Sequence, residues 1–303
     1  MSSVLYDAQG PRAKRRNIVF SVVFLAALAA VLWWAYTMLD EKGQLEWVLW
    51  KPFFTGTEAW STYLWPGLQN TLKAAALAMV IALPLGAVLG IARLSDHAWV
   101  RIPAGAVVEF FRAIPVLVLM IFGLALFSEY TNVSADDRPL YAVVTGLVLY
   151  NASVLAEIVR AGILSLPRGQ SEAASAVGLR KNQVMRFILL PQAVTAMLPA
   201  IVSQLVVIVK DTALGGAVLT FPDLMASVSP MSAYYANVIA SFTVIAVIYI
   251  VINFALTSFA SWLEGRLRRG KKSTGAVLGV DAVDELSAPG DHVDVTHEVD
   301  KGP

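Results

Sequence analysis

Gln170-Ser-Glu-Ala-Ala-Ser-Ala-Val-Gly-Leu-Arg-Lys-Asn-Gln-Val-Met-Arg-Phe-Ile-Leu-Leu-Pro191 is a polar, small-residue-rich stretch set between two long apolar ones. Its local chemistry predicts two short helices around a turn. Gln170 or Ser171 begins the first after the break at Pro167 to Gly169, with Glu172 placed at its positive end. Ala173, Ala174 and Ala176 leave one face nearly bare, so this helix would seat closely in a narrow groove. Gly178 suits the left-handed conformation that ends a helix. Arg180 and Lys181 open a second helix through Phe187, and Pro191 predicts a break before the next apolar run. Taken alone, the same pattern also fits a plain cytoplasmic hairpin joining two spans.

The rest of the chain is made for a membrane. Of its 303 residues 57% are hydrophobic and only 15% charged, far from a soluble domain. The formal net charge of +1 gives no ground for a nucleic-acid partner. With no cysteine, disulfides, thiolate metal sites and cysteine nucleophiles are excluded. His97, His292 and His297 all lie outside the long apolar runs, so no metal site is expected.

A bilayer core needs roughly 20 predominantly apolar helical residues. Six stretches qualify: Ile18 to Leu39, Leu68 to Ala92, Ile102 to Phe127, Leu140 to Ile158, Gln192 to Val209 and Val238 to Leu263. Each must be helical, because lipid offers no partner for free backbone groups. The first is too long for a signal peptide and lacks a small-residue cleavage site. Arg12, Lys14, Arg15 and Arg16 precede it; Arg93 and Arg101 join the second span to the third. Arg160, Arg168, Arg180, Lys181 and Arg186 fall between the fourth and fifth, and Arg266, Arg268, Arg269, Lys271 and Lys272 follow the sixth. The opposite loops hold only Lys42, Lys51 and Arg138, with Lys73 and Lys210 near helix ends on that side. By the positive-inside rule both termini and the 168–191 loop are cytoplasmic.

The resulting organisation is a basic cytoplasmic N-terminus (1–17), an extra N-terminal helix (18–39), an outer segment (40–66), a transmembrane domain (67–264) containing the loop 168–191, and a tail (265–303). Trp47, Trp50, Trp60, Tyr63 and Trp65 make the outer segment an interfacial elbow, with contact to a second protein as the other reading. The tail carries Asp281, Asp284, Glu285, Asp291, Asp294, Glu298 and Asp300 among Gly, Ser, Pro and Thr, and reads as disordered.

Ionisable groups near the membrane are costly and face the bundle or a wet path. Glu109 and Arg112, and again Glu157 and Arg160, are spaced for neutralisation on one helix face. They read as two ion pairs near the cytoplasmic membrane face, pinning a gate region, with direct substrate contact as the alternative. Deeper polar residues, Asn151 and Ser153 in the fourth span and Ser203 and Gln204 in the fifth, are the candidates for a substrate path. Interhelical hydrogen bonding is the plainer reading of all four. Ala82, Gly86 and Gly90 form a small-residue stripe for close helix packing, and Pro84 and Pro115 predict kinks.

At Glu172, Ala173, Ala174, Gly178, Leu190 and Pro191 the loop resembles the EAA loop of binding-protein-dependent ABC transporter permeases. Gly67 to Leu72, Glu109 to Pro115, Ala156 to Ile163 and Val209 to Leu214 are similar to elements of the branch that carries polar amino acids. Ala113 and Ala161 stand where that branch usually has glycine. Val4 to Ala8, the basic cluster and the extra first helix further resemble glutamate-uptake permeases of actinobacterial type. The resemblance implies an all-α integral membrane protein: a type I ABC importer permease core of five helices plus the N-terminal one, with cytoplasmic EAA coupling helices. It also implies a bacterial cytoplasmic-membrane importer subunit for polar amino acids. Glutamate leads; glutamine, aspartate and basic amino acids remain open. Implied partners are a dimer of ATP-binding subunits carrying ATP and Mg, a second permease subunit (a similar chain or a second copy) and an extracytoplasmic amino-acid-binding protein. No phosphate-cradling Gly-x-x-x-x-Gly-Lys-Ser/Thr loop occurs in this chain, so no cofactor is expected here. A membrane-embedded enzyme would need acid-base or metal groups at a shared depth, and a non-transport docking subunit would use the loop only as a hairpin. Gly178→Asp is expected to preserve insertion and abolish transport.

Overall fold

A computed structural model describes residues 10–269, so the acidic tail and the Val4 to Ala8 match lie outside the described residues. Every regular element in that range is helical: α1 (Pro11–Glu41), α2 (Trp47–Thr55), α3 (Trp65–Ala92), α4 (Ala98–Ala113), α5 (Val116–Tyr130), α6 (Arg138–Leu164), α7 (Arg168–Ala176), α8 (Lys181–Val184), α9 (Leu190–Val218), α10 (Val228–Tyr235) and α11 (Val238–Arg269). Wide π-type turns, Ala59–Leu64 and Met185–Leu189, lead directly into α3 and α9.

Both wide turns have the same cause. Pro66 and Pro191 each sit just inside the helix that follows. A proline has no N–H to give and crowds the carbonyl four residues back. Donation five residues back, from Trp65 N to Trp60 O and from Leu190 N to Met185 O, takes up the mismatch. The break expected at Pro191 therefore does not occur, and Lys181–Val218 is one helical run of 38 residues.

α6 is the hub, burying fourteen of its residues from Pro139 to Ile163. Its tightest partner is α3, where Ala74, Ala78, Ala82, Gly86 and Gly90 recur every fourth residue and are all buried. A Cβ on Gly86 would lie 2.8 Å from Ala152 O, and one on Gly90 would lie 2.5 Å from Ala156 O. In lipid such close backbone approach is what gives helices their dispersion contact. The small-residue stripe read from the sequence thus extends two turns further. α5 meets α6 in the same way: a Cβ on Gly146 would fall 2.7 Å from Met120 N. α1 buries none of its residues against the rest of the chain.

The expected third span is not one helix. Among the described residues five helical runs are long and apolar enough to cross a membrane, and α4 with α5 forms a sixth candidate bent by 98°. Ile114 and Pro115 are both extended at the bend. The pyrrolidine ring pushes the preceding residue out of helical conformation, which turns the predicted kink into a corner. The elbow before α3 is also helical in part: α2 and the first wide turn pack through Phe53 and Leu64 onto Met231, Ala240 and Ile245.

Candidate functional site

α7 starts at Arg168, with Pro167 as its cap, earlier than expected. Glu172 consequently sits in the second turn rather than beside the free N–H groups, and the predicted dipole contact is absent. The alanines do not share one outward face either: Ala174 is buried, whereas Ala173 and Ala176 are exposed. Glu172, Ala173, Ser175, Ala176 and Val177 are exposed along the second half of this limb.

Gly178 does what its position predicted. Its φ is +85°, Leu179 N donates to Ala174 O (3.1 Å) and Gly178 N to Ser175 O (3.0 Å). This paired bonding satisfies the last carbonyls of α7 and is the usual reason for a glycine there. A Cβ on Gly178 would meet nothing within 4 Å, so the demand is on backbone conformation alone. Beyond the turn, Gln183 Oε1 accepts the Arg180 N–H at 2.9 Å and caps α8. Leu190 is half-buried and Pro191 exposed on the continuing helix.

The two expected ion pairs form, Arg112–Glu109 at 3.4 Å and Arg160–Glu157 at 2.9 Å, but they are not separate. Arg93, at the C-terminal end of α3, reaches Glu157 at 2.6 Å and Glu109 at 3.1 Å, and Arg112 approaches Glu157 at 3.8 Å. Three guanidinium groups and two carboxylates thus tie the ends of α3 and α4 to α6. Arg93 is the most enclosed member, with 14% of its side chain exposed. Sequence reasoning used Arg93 only to orient the chain; its place at the end of the second span was the available signal. Three residues on, Asp96 pairs with Lys181 of α8, whose Nζ also donates to Leu94 O (3.4 Å). The hydrogen-bonded Lys181 ammonium holds the Asp96 carboxyl below the usual range.

Of the deeper polar residues, Asn151, Ser153 and Gln204 are buried between helices. Gln204 Nε2 donates to Asn151 Oδ1 at 2.5 Å, joining α9 to α6, and Asn151 Nδ2 donates to Leu147 O at 2.7 Å. Ser153 Oγ donates to Tyr150 O at 2.6 Å. Only Ser203 is exposed, its hydroxyl bonded to Pro199 O at 2.9 Å. Two turns further along the same side of α9 stands Lys210, also exposed, with no hydrogen bond or ion pair among the described residues.

At the opposite end of the bundle the connection from α9 to α10 is stitched to the start of α3. Thr71 Oγ1 accepts the Leu224 N–H (3.0 Å), and Asn70 Nδ2 donates to Pro222 O (2.8 Å). Asp223 is fully buried, accepting from Ala226 N at 2.8 Å and Tyr249 OH at 3.1 Å. Burial pushes its carboxyl up to about 6, against the pull of those donors. A Cβ on Gly216 would overlap Asp223 Oδ1, so the carboxylate has room only over a glycine. No sequence pattern marked Asp223 or Gly216.

Residues 82–269 match the family described as binding-protein-dependent transport system inner membrane component. Over 243 residues the chain is 44% identical to the glutamate transport system permease protein GluD of Corynebacterium glutamicum, covering 80% of this chain and 88% of that one. Over 209 residues it is 35% identical to the glutamate/aspartate import permease protein GltK of Escherichia coli O157:H7, covering 67% and 93%. A crystal structure of an amino acid ABC transporter with histidines aligns with TM-score 0.63 at 27% identity, over 68% of this chain and 95% of that one.

Proposed function

Because this chain belongs to the binding-protein-dependent transport system inner membrane component family, we propose that it carries glutamate across the membrane and that loop 168–191 is where an ATP-binding subunit pushes on it. It is the permease subunit of an ABC importer for polar amino acids. ATP and Mg belong to the partner ATPase, and the energy arrives here only as a displacement of the loop. The observation that carries the coupling reading is the two-limbed loop: Gly178 at φ +85° turns α7 back against α8 and leaves Glu172, Ala173, Ala176 and Val177 free.

The bent pair α4–α5 counts as one crossing in this reading. Six crossings then put the basic residues of both ends, the charge network and the loop on the cytoplasmic side of a bacterial inner membrane. One loop serves one ATPase subunit, so two permease chains assemble, each offering its own. An extracytoplasmic binding protein delivers cargo to the outer face. The complex then alternates between outward-open and inward-open states, each favoured by a different occupancy of its partners.

Glutamate rests on the two relatives named above. Asn151 and Gln204 satisfy one another and hold α6 to α9. Ser203 and Lys210 instead share an accessible face of α9, with the Asp211 carboxylate beside Lys210.

Initial uptake of labelled glutamate in a strain deleted for this gene and for other glutamate carriers tests the assignment. Restoring the gene should restore uptake, competed by excess aspartate and not by arginine. Unchanged uptake on restoration would retire glutamate as the cargo.

A further inference from the structure

We propose that the turn between α3 and α4, residues 93–97, is a transmission element that carries displacement of the coupling loop into the charge network, with Arg93, Asp96 and Lys181 as its positioning residues. This rests on the coupling reading of loop 168–191.

The turn is held at both ends by charge. At one end Asp96 pairs with Lys181, the first residue of α8 and close behind the Gly178 turn. At the other end Arg93 grips Glu157 of α6 at 2.6 Å and Glu109 of α4 at 3.1 Å. Between the turn and α8 runs a half-open cleft of about 510 Å³, bordered by Ile91, Val100, Arg180 and Asn182, and the Asp96–Lys181 pair spans it. Leu94 and Met185 back the polar tie with apolar contact in the cluster around Val159 and Met197.

The covalent connections do not supply this link. The first limb of the loop is continuous with α6 through Ser165 to Pro167, and the second limb runs on into α9. Neither leads to α4, the arm of the bent pair. Among the described residues, the 93–97 turn ties the second limb through charge to both α4 and α6. An ion pair as exposed as Asp96–Lys181 adds little to stability. A weak tie of that kind suits a contact remade in every cycle, and its effect belongs in coupling rather than in folding.

The test uses the assembled complex, with ATPase subunits and binding protein, in proteoliposomes. Three forms are compared with the wild type: Asp96→Lys, Lys181→Asp and the double exchange. Glutamate imported per ATP hydrolysed is the readout, alongside co-purification of the ATPase. Asp96→Lys, which lies outside the loop, should retain the ATPase and its hydrolysis, and both single reversals should lower import per ATP by about fivefold or more, the lower range of coupling between sites. The double exchange should return the ratio to within about twofold of wild type. A single reversal with the wild-type ratio overturns the proposal, as does an exchange that leaves the loss unrepaired. Loss of ATPase co-purification in Asp96→Lys also overturns it, because the pair would then act in docking. If the wild-type loop itself fails to retain the ATPase, the coupling reading falls and takes this one with it.

Discussion

Replacing Asn151 by leucine, close to it in volume, removes the acceptor of the 2.5 Å hydrogen bond from Gln204 Nε2 and leaves that amide enclosed between α6 and α9. Gln204 is only 9% exposed, so water offers little compensation. An orphaned buried amide costs about 1–3 kcal/mol in soluble interiors. Interhelical hydrogen bonds in membranes average nearer 0.6 kcal/mol, with a maximum of about 1.7. Asn151→Leu should therefore destabilise by roughly 1–2 kcal/mol. At about 2–4 °C per kcal/mol for a protein of this size, the apparent melting temperature of the detergent-solubilised subunit drops by roughly 2–8 °C. Gln204→Leu orphans Asn151 Oδ1 and should cost a similar amount. Converting both leaves no unpaired group, so the double variant should recover most of the loss, with a coupling energy of about 2–3 kcal/mol. Melting is compared at one fixed heating rate, because membrane proteins seldom unfold reversibly. Strict additivity of the two single losses would refute the reasoning. So would single variants of full stability whose KM for glutamate has risen, since that would place the pair on the cargo path.

Gly90→Leu pushes side-chain atoms into a position where the Cβ alone would sit 2.5 Å from Ala156 O. It should cost about 1–3 kcal/mol through overpacking, read as a lower melting temperature; an unshifted melt would contradict the α3–α6 contact. Gly178→Asp should insert normally and abolish uptake, because a side chain at φ +85° strains the one turn between the limbs. Wild-type uptake by this variant would remove that account of the turn. Asp223 holds its proton more tightly folded, at about 6, than at the ordinary 3.8. Stability from this group is therefore greatest at low pH, falls as pH rises through that window, and is lower by about 3 kcal/mol above it. Asp223→Asn should lose that slope relative to wild type in melting curves taken from about pH 4 to about pH 8; parallel curves would show that Asp223 is not the group responsible.

The sequence made legible what depends on local chemistry. Apolar length revealed the spans, since lipid imposes a minimum helix of its own. Gly178 was readable because only its backbone conformation mattered. Small residues every fourth position announced the α3 contact, although Ala74 and Ala78 were passed over because alanine is also merely a good helix former. What stayed hidden depends on three-dimensional approach. Pro115 announces a disturbance, but its 98° size is set by how α4 and α5 pack. Glu109–Arg112 and Glu157–Arg160 were visible as neighbours on a helix, whereas Arg93 joins them across 16 and 64 residues of chain. Asp223 had no signal at all, because its surroundings come from α9, α11 and the connection between α9 and α10. The substrate-path residues illustrate the same limit: a polar side chain in an apolar span says that it needs a partner, and only the fold says that Gln204 is that partner.

The wide turn before Pro191 has one more consequence. By absorbing the proline without a break, it leaves Lys181–Val218 as a single shaft of 38 residues, about 57 Å from end to end. Pro199 lies within it and does not interrupt it. A shaft without a joint converts rotation at one tip into travel at the other: a tilt of about 5° about its inner end sweeps the outer end by about 5 Å. One tip is the second limb of the 168–191 loop, and close to the other Gly216 bears directly on Asp223. In the proposed coupling, a push on that loop would tilt the whole shaft, and its far end would travel furthest without any joint in between.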